Sequence, residues 1–224
     1  MRPHPATTSV RRWLTVVAAA LVAGGCAQSP ATAPDERAAE RGTALAALEK
    51  LPVKGRAPKK GYDREQFGGD WASAGGCDMR DRVLRRDLRR ETFEPGSCEV
   101  LSGVLRDPYT ATAVRFVRGG ASEVDIDHVV ALGDAWQKGA QQWPYERRVA
   151  LANDPLNLLA VDAAANRQKG DSDAASWLPS NRAFRCAYVA RQIAVKRRYR
   201  AWVTRAERGA MRRVLSRCSR TRLP

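Results

Sequence analysis

Histidine is nearly absent from this chain. Its 224 residues hold two, His4 and His128. That scarcity excludes multi-histidine zinc chemistry. Cysteine is sparse as well. There are five, with no Cys-x-x-Cys pair and no Cys/His cluster, so a structural zinc site is disfavoured. Lysine is scarce, 7 residues against 32 arginines. The apolar run from Trp13 to Ala23 is too short to span a bilayer comfortably, and nothing later resembles a membrane helix. No internal repeat is visible.

What is present begins with an export signal. Residues 1–25 carry Arg2, Arg11 and Arg12 and then the apolar run, the pattern of a signal peptide. Val22-Ala23-Gly24-Gly25-Cys26 resembles a bacterial lipoprotein cleavage site, with Ala23 where Leu is usual. On that reading Cys26 is a lipid anchor and the only tie to a membrane. The alternative is ordinary cleavage near Ala27 and a free soluble protein. Arg11-Arg12-Trp13-Leu14 weakly resembles a twin-arginine signal. Residues 26–61 read as a flexible linker, rich in Ala, Pro and charge. One folded domain is expected over 62–218, long enough to bury a sizeable core.

The net charge is +15, and removing the three signal arginines leaves +12. Such a surface attracts polyanions. Arginine codons in a GC-rich genome account equally well for the Arg bias, but not for the excess over acids. Besides Cys26 the chain has Cys77, Cys98, Cys186 and Cys218. Four cysteines in an exported chain suggest two disulfides. Three connectivities are open, and sequence proximity favours Cys77–Cys98 with Cys186–Cys218.

The pattern predicts an α+β fold. A helix is expected over 78–90 from Val83, Leu84 and Leu88. Residues 112–118 and 123–127 alternate as strands around the turn Gly119-Gly120 and together suggest a hairpin. Residues 129–141 read as helix, 157–161 as a short apolar strand, and 163–169 as the start of another helix. Two longer helices follow at about 183–200 and 204–217. Thr204 and Glu207 make a capping-box pattern. Asp78, Asp81 and Asp87 read as helix-terminal acids paired with arginines rather than as metal ligands. Trp136, Trp143 and Trp177 read as core rather than as base-stacking platforms.

His128 is the one imidazole beyond the signal segment, the side chain that titrates near neutral pH and can serve as a general base. Asp127 precedes it at a strand end. Asn157 stands before the short apolar strand, and Asn166 lies in the next helix within Asn166-Arg167-Gln168-Lys169. Each has a plain reading too. Asp127-His128 could be a structural pair, Asn157 a turn residue, and Asn166 a solvated helix residue. Lys169, Arg80 and Arg85 are candidate phosphate contacts, although each taken alone reads more readily as an ordinary surface charge.

The ordered set Asp127-His128, Asn157 and Asn166-x-x-Lys169 resembles the ββα-metal motif of HNH nucleases. The closer resemblance is to actinobacterial secreted HNH-family proteins related to the C-terminal nuclease domain of GmrSD-type restriction enzymes. It is carried by Tyr62-Asp63-Arg64, Gly76-Cys77-Asp78, Val83 to Leu88, Asp107-Pro108-Tyr109, Asp127 to Leu132 and Asn153 to Leu158. The resemblance implies a hairpin-and-helix core wrapped by further helices. It implies a metal-dependent endonuclease acting on DNA or RNA. In it His128 deprotonates water, Asp127 and Asn166 hold one divalent cation, Mg²⁺ by its oxygen ligands, and Asn157 fixes the His128 backbone. Asn166 departs from the family, where His is common. A rival expectation is a non-catalytic exported lipoprotein that binds nucleic acid or acidic cell-wall polymer on the same scaffold.

Overall fold

The computed structural model describes Met1, residues 42–120 and residues 123–224. Residues 2–25 of the expected signal segment, Cys26 and the first part of the linker lie outside the described residues.

The folded part starts earlier than composition suggests. Helix α1 (Ala44–Glu49) falls within the stretch read as linker. The Thr43 side chain caps it, accepting from the Ala46 amide at 3.2 Å. Ala44, Ala47 and Leu48 occupy i, i+3 and i+4, and all are buried. The Ala44 amide donates to the Thr221 carbonyl at 2.7 Å, and Thr43 bridges Arg222. These contacts tie the segment from Thr43 to the chain beyond Cys218. A six-residue helix is too short for its periodicity to stand out from an alanine-rich tether.

A short ribbon of β1 (Ser73–Ala74) and β2 (Cys77–Asp78) leads into α2 (Met79–Asp87). Asp78 caps α2, accepting from the Asp81 amide at 2.7 Å. The other two acids reach past the helix, although Asp87 also pairs with its neighbour Arg86 at 2.6 Å. Asp81 accepts from the Val100 amide at 3.0 Å and pairs with Arg118. Asp87 accepts from the Ala160 amide at 2.9 Å. Both tie α2 to strands. The helix stops at Asp87, and the backbone turns into β3 (Leu88–Phe93), which runs antiparallel to β4 (Val100–Arg106) and onward to β5 (Ala113–Val117). The disulfide Cys77–Cys98 fastens the start of α2 to the β3–β4 turn.

The expected hairpin does not form. β6 (Val124–His128) leaves β5 and pairs antiparallel with β7 (Leu158–Asp162), with Val124 opposite Asp162 and His128 opposite Leu158. The turn Gly119-Gly120 is locally compatible with a hairpin, but β7 has the stronger claim on β6. Leu158-Leu159-Ala160-Val161 is an unbroken apolar run, which needs burial on both faces. Leu158 and Ala160 enter one cluster with Val83, Leu84 and Phe116. Leu159 and Val161 enter another with Tyr109, Tyr188, Ile193 and Met211.

The excursion between β6 and β7 carries α3 (Leu132–Gln137) and α4 (Tyr145–Ala152) and packs Trp136 on Phe67. The helix predicted from 129 starts late because Asn157 takes the Val129 and Val130 amides. Trp136 is buried, while Trp143 and Trp177 pack partly buried against the core. After β7 come α5 (Ala163–Lys169), α6 (Arg185–Arg198) and α7 (Arg205–Leu215). Both bonds of the Thr204/Glu207 capping box are made. The second disulfide is Cys186–Cys218.

A balanced set of charges lies between α3, α6 and α7. Lys138 reaches Asp134, Asp173 and Glu207 at 2.6 to 2.8 Å, and Lys196 reaches Asp134 and Glu207 at 2.9 to 3.0 Å. Arg56 adds a third cation on Asp134 and Asp173. Three cations thus face three carboxylates. Burial pushes the Asp134 carboxyl up, but Lys196 and Lys138 outweigh it and hold it below the ordinary range. No helix among the described residues is long and apolar enough to cross a membrane.

Candidate active site

β6 ends at His128 because Asn157 seizes the next two residues. The Asn157 carbonyl accepts from the Val129 amide at 2.8 Å. Its side-chain Oδ1 accepts from the Val130 amide at 2.8 Å, and Nδ2 donates to the Val130 and Leu151 carbonyls at 3.3 Å. Asn157 is fully buried, so these bonds lock the bend that follows the imidazole.

His128 stacks on Trp71 at 5.7 Å and is buried. Its Nε2 lies 2.9 Å from the Ala152 carbonyl. A carbonyl can only accept, so Nε2 carries the hydrogen and a neutral ring keeps its lone pair on Nδ1. Burial lowers the imidazole to about 4; the Ala152 carbonyl and Asp127 oppose the shift, and Arg64 and Lys169 assist it. At neutral pH the ring is therefore an uncharged base.

Asp127, His128 and Asn166 line one cleft of about 190 Å³, together with Tyr62, Arg64 and Asp171. Asp127 makes no hydrogen bond to His128. Its Oδ2 accepts from the Tyr109 hydroxyl at 2.5 Å, and its Oδ1 from the Lys169 ammonium at 2.8 Å. Lys169 also donates to the His128 carbonyl at 2.9 Å. This lysine is buried, not at the surface where a phosphate contact would stand. Burial first, and then Asp127, raise Tyr109 well above its ordinary value, so it stays a donor. Asn166 Nδ2 donates to Asp125 Oδ2 at 3.1 Å, which turns its carbonyl oxygen away as the acceptor end.

The donor set suits a hard cation. Among the described residues no three His, Cys, Asp or Glu side chains gather as a metal cage. Mg²⁺ needs only one or two protein oxygens when waters and phosphates complete its shell. Asp127 retains a lone pair on each oxygen beyond the two bonds above. Any such ion would share the Asp127 carboxylate with Lys169 and Tyr109.

Arg80 and Arg85 are not brought to the cleft. Arg80 lies over Phe116 at 5.5 Å and Arg85 over Phe93 at 5.7 Å, both on α2. The cleft instead offers Arg64, exposed, with no carboxylate within ion-pair distance among the described residues. Tyr62-Asp63-Arg64 and Asp107-Pro108-Tyr109 carry the family resemblance, but nothing local in the sequence marks Arg64 or Tyr109 as a neighbour of Asp127-His128. Trp71 and Asp171 carry no sequence signal for the site either. A Cβ on Gly133 would meet the Asp171 carboxylate, so the carboxylate lies directly against the backbone of α3. Asp171 is held by Lys59 at 2.5 Å.

Residues 78–214 match the family model described as GmrSD restriction endonucleases, C-terminal domain. The chain is 38% identical over 178 residues to a protein of Arthroderma benhamiae named "Uncharacterized secreted protein", covering 79% of this chain and 85% of that one. No solved structure matches the chain.

Proposed function

Because the chain belongs to the family of GmrSD restriction endonuclease C-terminal domains, we propose that it is an exported HNH-type nuclease that hydrolyses phosphodiester bonds of DNA, with His128 as its base. One observation carries the reading: a neutral imidazole held by the Ala152 carbonyl, beside an unpaired arginine in a cleft lined by Asp127 and Asn166. β6, β7 and α5 follow one another in the order strand, strand, helix that the ββα-metal reading requires, although 29 residues separate the two strands.

In this mechanism Nδ1 of His128 takes a proton from water as its oxygen attacks phosphorus and the bond to the leaving 3′ oxygen breaks. Arg64 holds a non-bridging phosphate oxygen. Asp127 and Asn166 would hold the divalent cation, Mg²⁺ by their hard oxygens. When bound, it neutralises charge on the phosphate. Asn157 positions the His128 backbone. The secreted relative and the two disulfides support export. Cys26 would supply a lipid anchor at the cell surface.

The Lys169–Asp127 pair favours a second reading. Its ammonium already balances the carboxylate, which suits a scaffold that binds nucleic acid or acidic cell-wall polymer without cutting. Plasmid nicking by the full chain separates the two. The nuclease nicks with Mg²⁺, stops in EDTA, and loses at least about a hundredfold in rate as His128→Ala. Equal cleavage by parent and variant overturns the mechanism. A parent that retains DNA but leaves it intact with Mg²⁺, Mn²⁺ and Ca²⁺ supports the binding protein.

A further inference from the structure

The cleft at His128 does not account for a larger hollow on the helical side. This hollow, about 380 Å³, lies between the segment 174–186 and α7. Ala174, Leu178, Ala210 and Val214 give it an apolar floor. Arg182, Arg185, Arg213 and Arg217 stand around it, and no acidic residue among the described residues lines it. Residues 210, 213 and 214 share one face of α7, and Arg217 follows in the turn after it. Arg185 and Cys186 open α6, and Arg182 stands in the 3-10 turn just before it. The Cys186–Cys218 bond joins the two faces, with its Cα atoms 6.5 Å apart, and so fixes the distance between the two arginine pairs.

These arginines differ from their neighbours. Arg208 and Arg212, also on α7, both clasp Glu49. Arg182, Arg213 and Arg217 are exposed, and none has a carboxylate within ion-pair distance among the described residues. Arg185 is oriented by its Nε bond to the Pro179 carbonyl at 2.7 Å. Guanidinium groups without a carboxylate partner among the described residues, held across an apolar floor, match a polymer with regular phosphates and flat apolar faces.

We propose that this hollow binds single-stranded nucleic acid, with the arginines on phosphates and the floor under sugars and bases. The choice of polyanion rests on the nuclease reading. The placement supports continuity between the two sites. Gly170 and Asp171 line the cleft, and Ala174 lines the hollow. Three peptide units span at most about 11 Å.

The test is fluorescence anisotropy on the full chain in EDTA, with a short labelled single-stranded oligodeoxynucleotide. Arg213→Glu with Arg217→Glu is compared with Arg89→Glu with Arg115→Glu, an equal charge change on exposed positions of β3 and β5. The hollow pair is expected to weaken binding at least about tenfold and to flatten the salt slope by about 1.4, while the sheet pair stays within about twofold. Arg213→Gln with Arg217→Gln, checked for an unchanged melting temperature, must move affinity in the same direction. Equal losses from the two reversals would mean bulk charge alone and overturn the proposal. So would loss of retention on phosphatidylglycerol vesicles with oligonucleotide binding intact. A parent that fails to nick plasmid sinks the nuclease reading but leaves this binding result standing.

Discussion

Between pH 6.5 and 4 a free imidazole takes up a proton, and His128 in the folded chain resists it because burial penalises the charge. The unfolded chain then binds more protons than the folded one. Stability is fully present above pH 6.5, declines as pH falls through this window, and its contribution is gone below about 4. The shift corresponds to about 3 kcal/mol. Because His4 lies in the expected signal segment, ring-nitrogen NMR of the processed chain in EDTA reads His128 alone. At about pH 6 the spectrum should be that of a neutral ring with hydrogen on Nε2. An imidazolium at that pH, or hydrogen on Nδ1, would remove the lone pair on which the proposed base depends. Asn157 illustrates what was readable at this scale. Its place before an apolar strand suggested a turn or a backbone clamp, and its side chain spans the bend after His128.

Between elements, Lys169 is the rivet. It sits at the end of α5 and reaches the Asp127 carboxylate and the His128 carbonyl, both on β6. Removing one partner of a buried pair leaves an uncompensated charge and costs about 3–5 kcal/mol. Lys169→Met should therefore lower stability by about that much in chemical denaturation, and Asp127→Asn in the same background should recover part of it. A loss under about 1 kcal/mol for Lys169→Met would mean the pair does not hold α5 on β6. The sequence spelled out α5, β7 and the capping box of α7, because their signals are local periodicity and capping spacing. It did not spell out that Lys169 and Tyr109 converge on Asp127. Those contacts cross 42 and 18 residues, and a lysine beside an arginine-rich helix looks like any surface charge. The hairpin failed for the same reason: Gly119-Gly120 is a near-neighbour signal, and the partner of β6 lies beyond two intervening helices.

Across the whole molecule, the charge set of Arg56, Lys138 and Lys196 against Asp134, Asp173 and Glu207 joins α3, α6, α7 and the segment that leads from the cleft to the arginine hollow. Burial opposes the charge on Asp173, and Lys138 outweighs it, so its carboxyl stays below the ordinary range. For Lys196, burial lowers the ammonium and Asp134 with Glu207 outweigh it, so it is raised. Depressed carboxylates lend stability above their ordinary value of 3.8 and lose it as pH falls through the folded value. A raised lysine lends stability below 10.5 and loses it above. The set should thus be intact from about pH 4 to about pH 10, leaving His128 as the main titration within that span. Charge balance predicts how substitutions combine. Lys196→Met leaves the carboxylates in excess and should cost about 3–5 kcal/mol. Glu207→Gln leaves a cation in excess and should cost a similar amount, with about 1 kcal/mol more if the α7 cap weakens. The double variant restores two cations to two carboxylates, so its loss should fall well below the sum of the singles, by about 1–3 kcal/mol. Urea denaturation of the four chains at neutral pH measures this coupling. Strictly additive losses would mean that each charge is solvated on its own account and that balance does not govern the packing of α6 and α7.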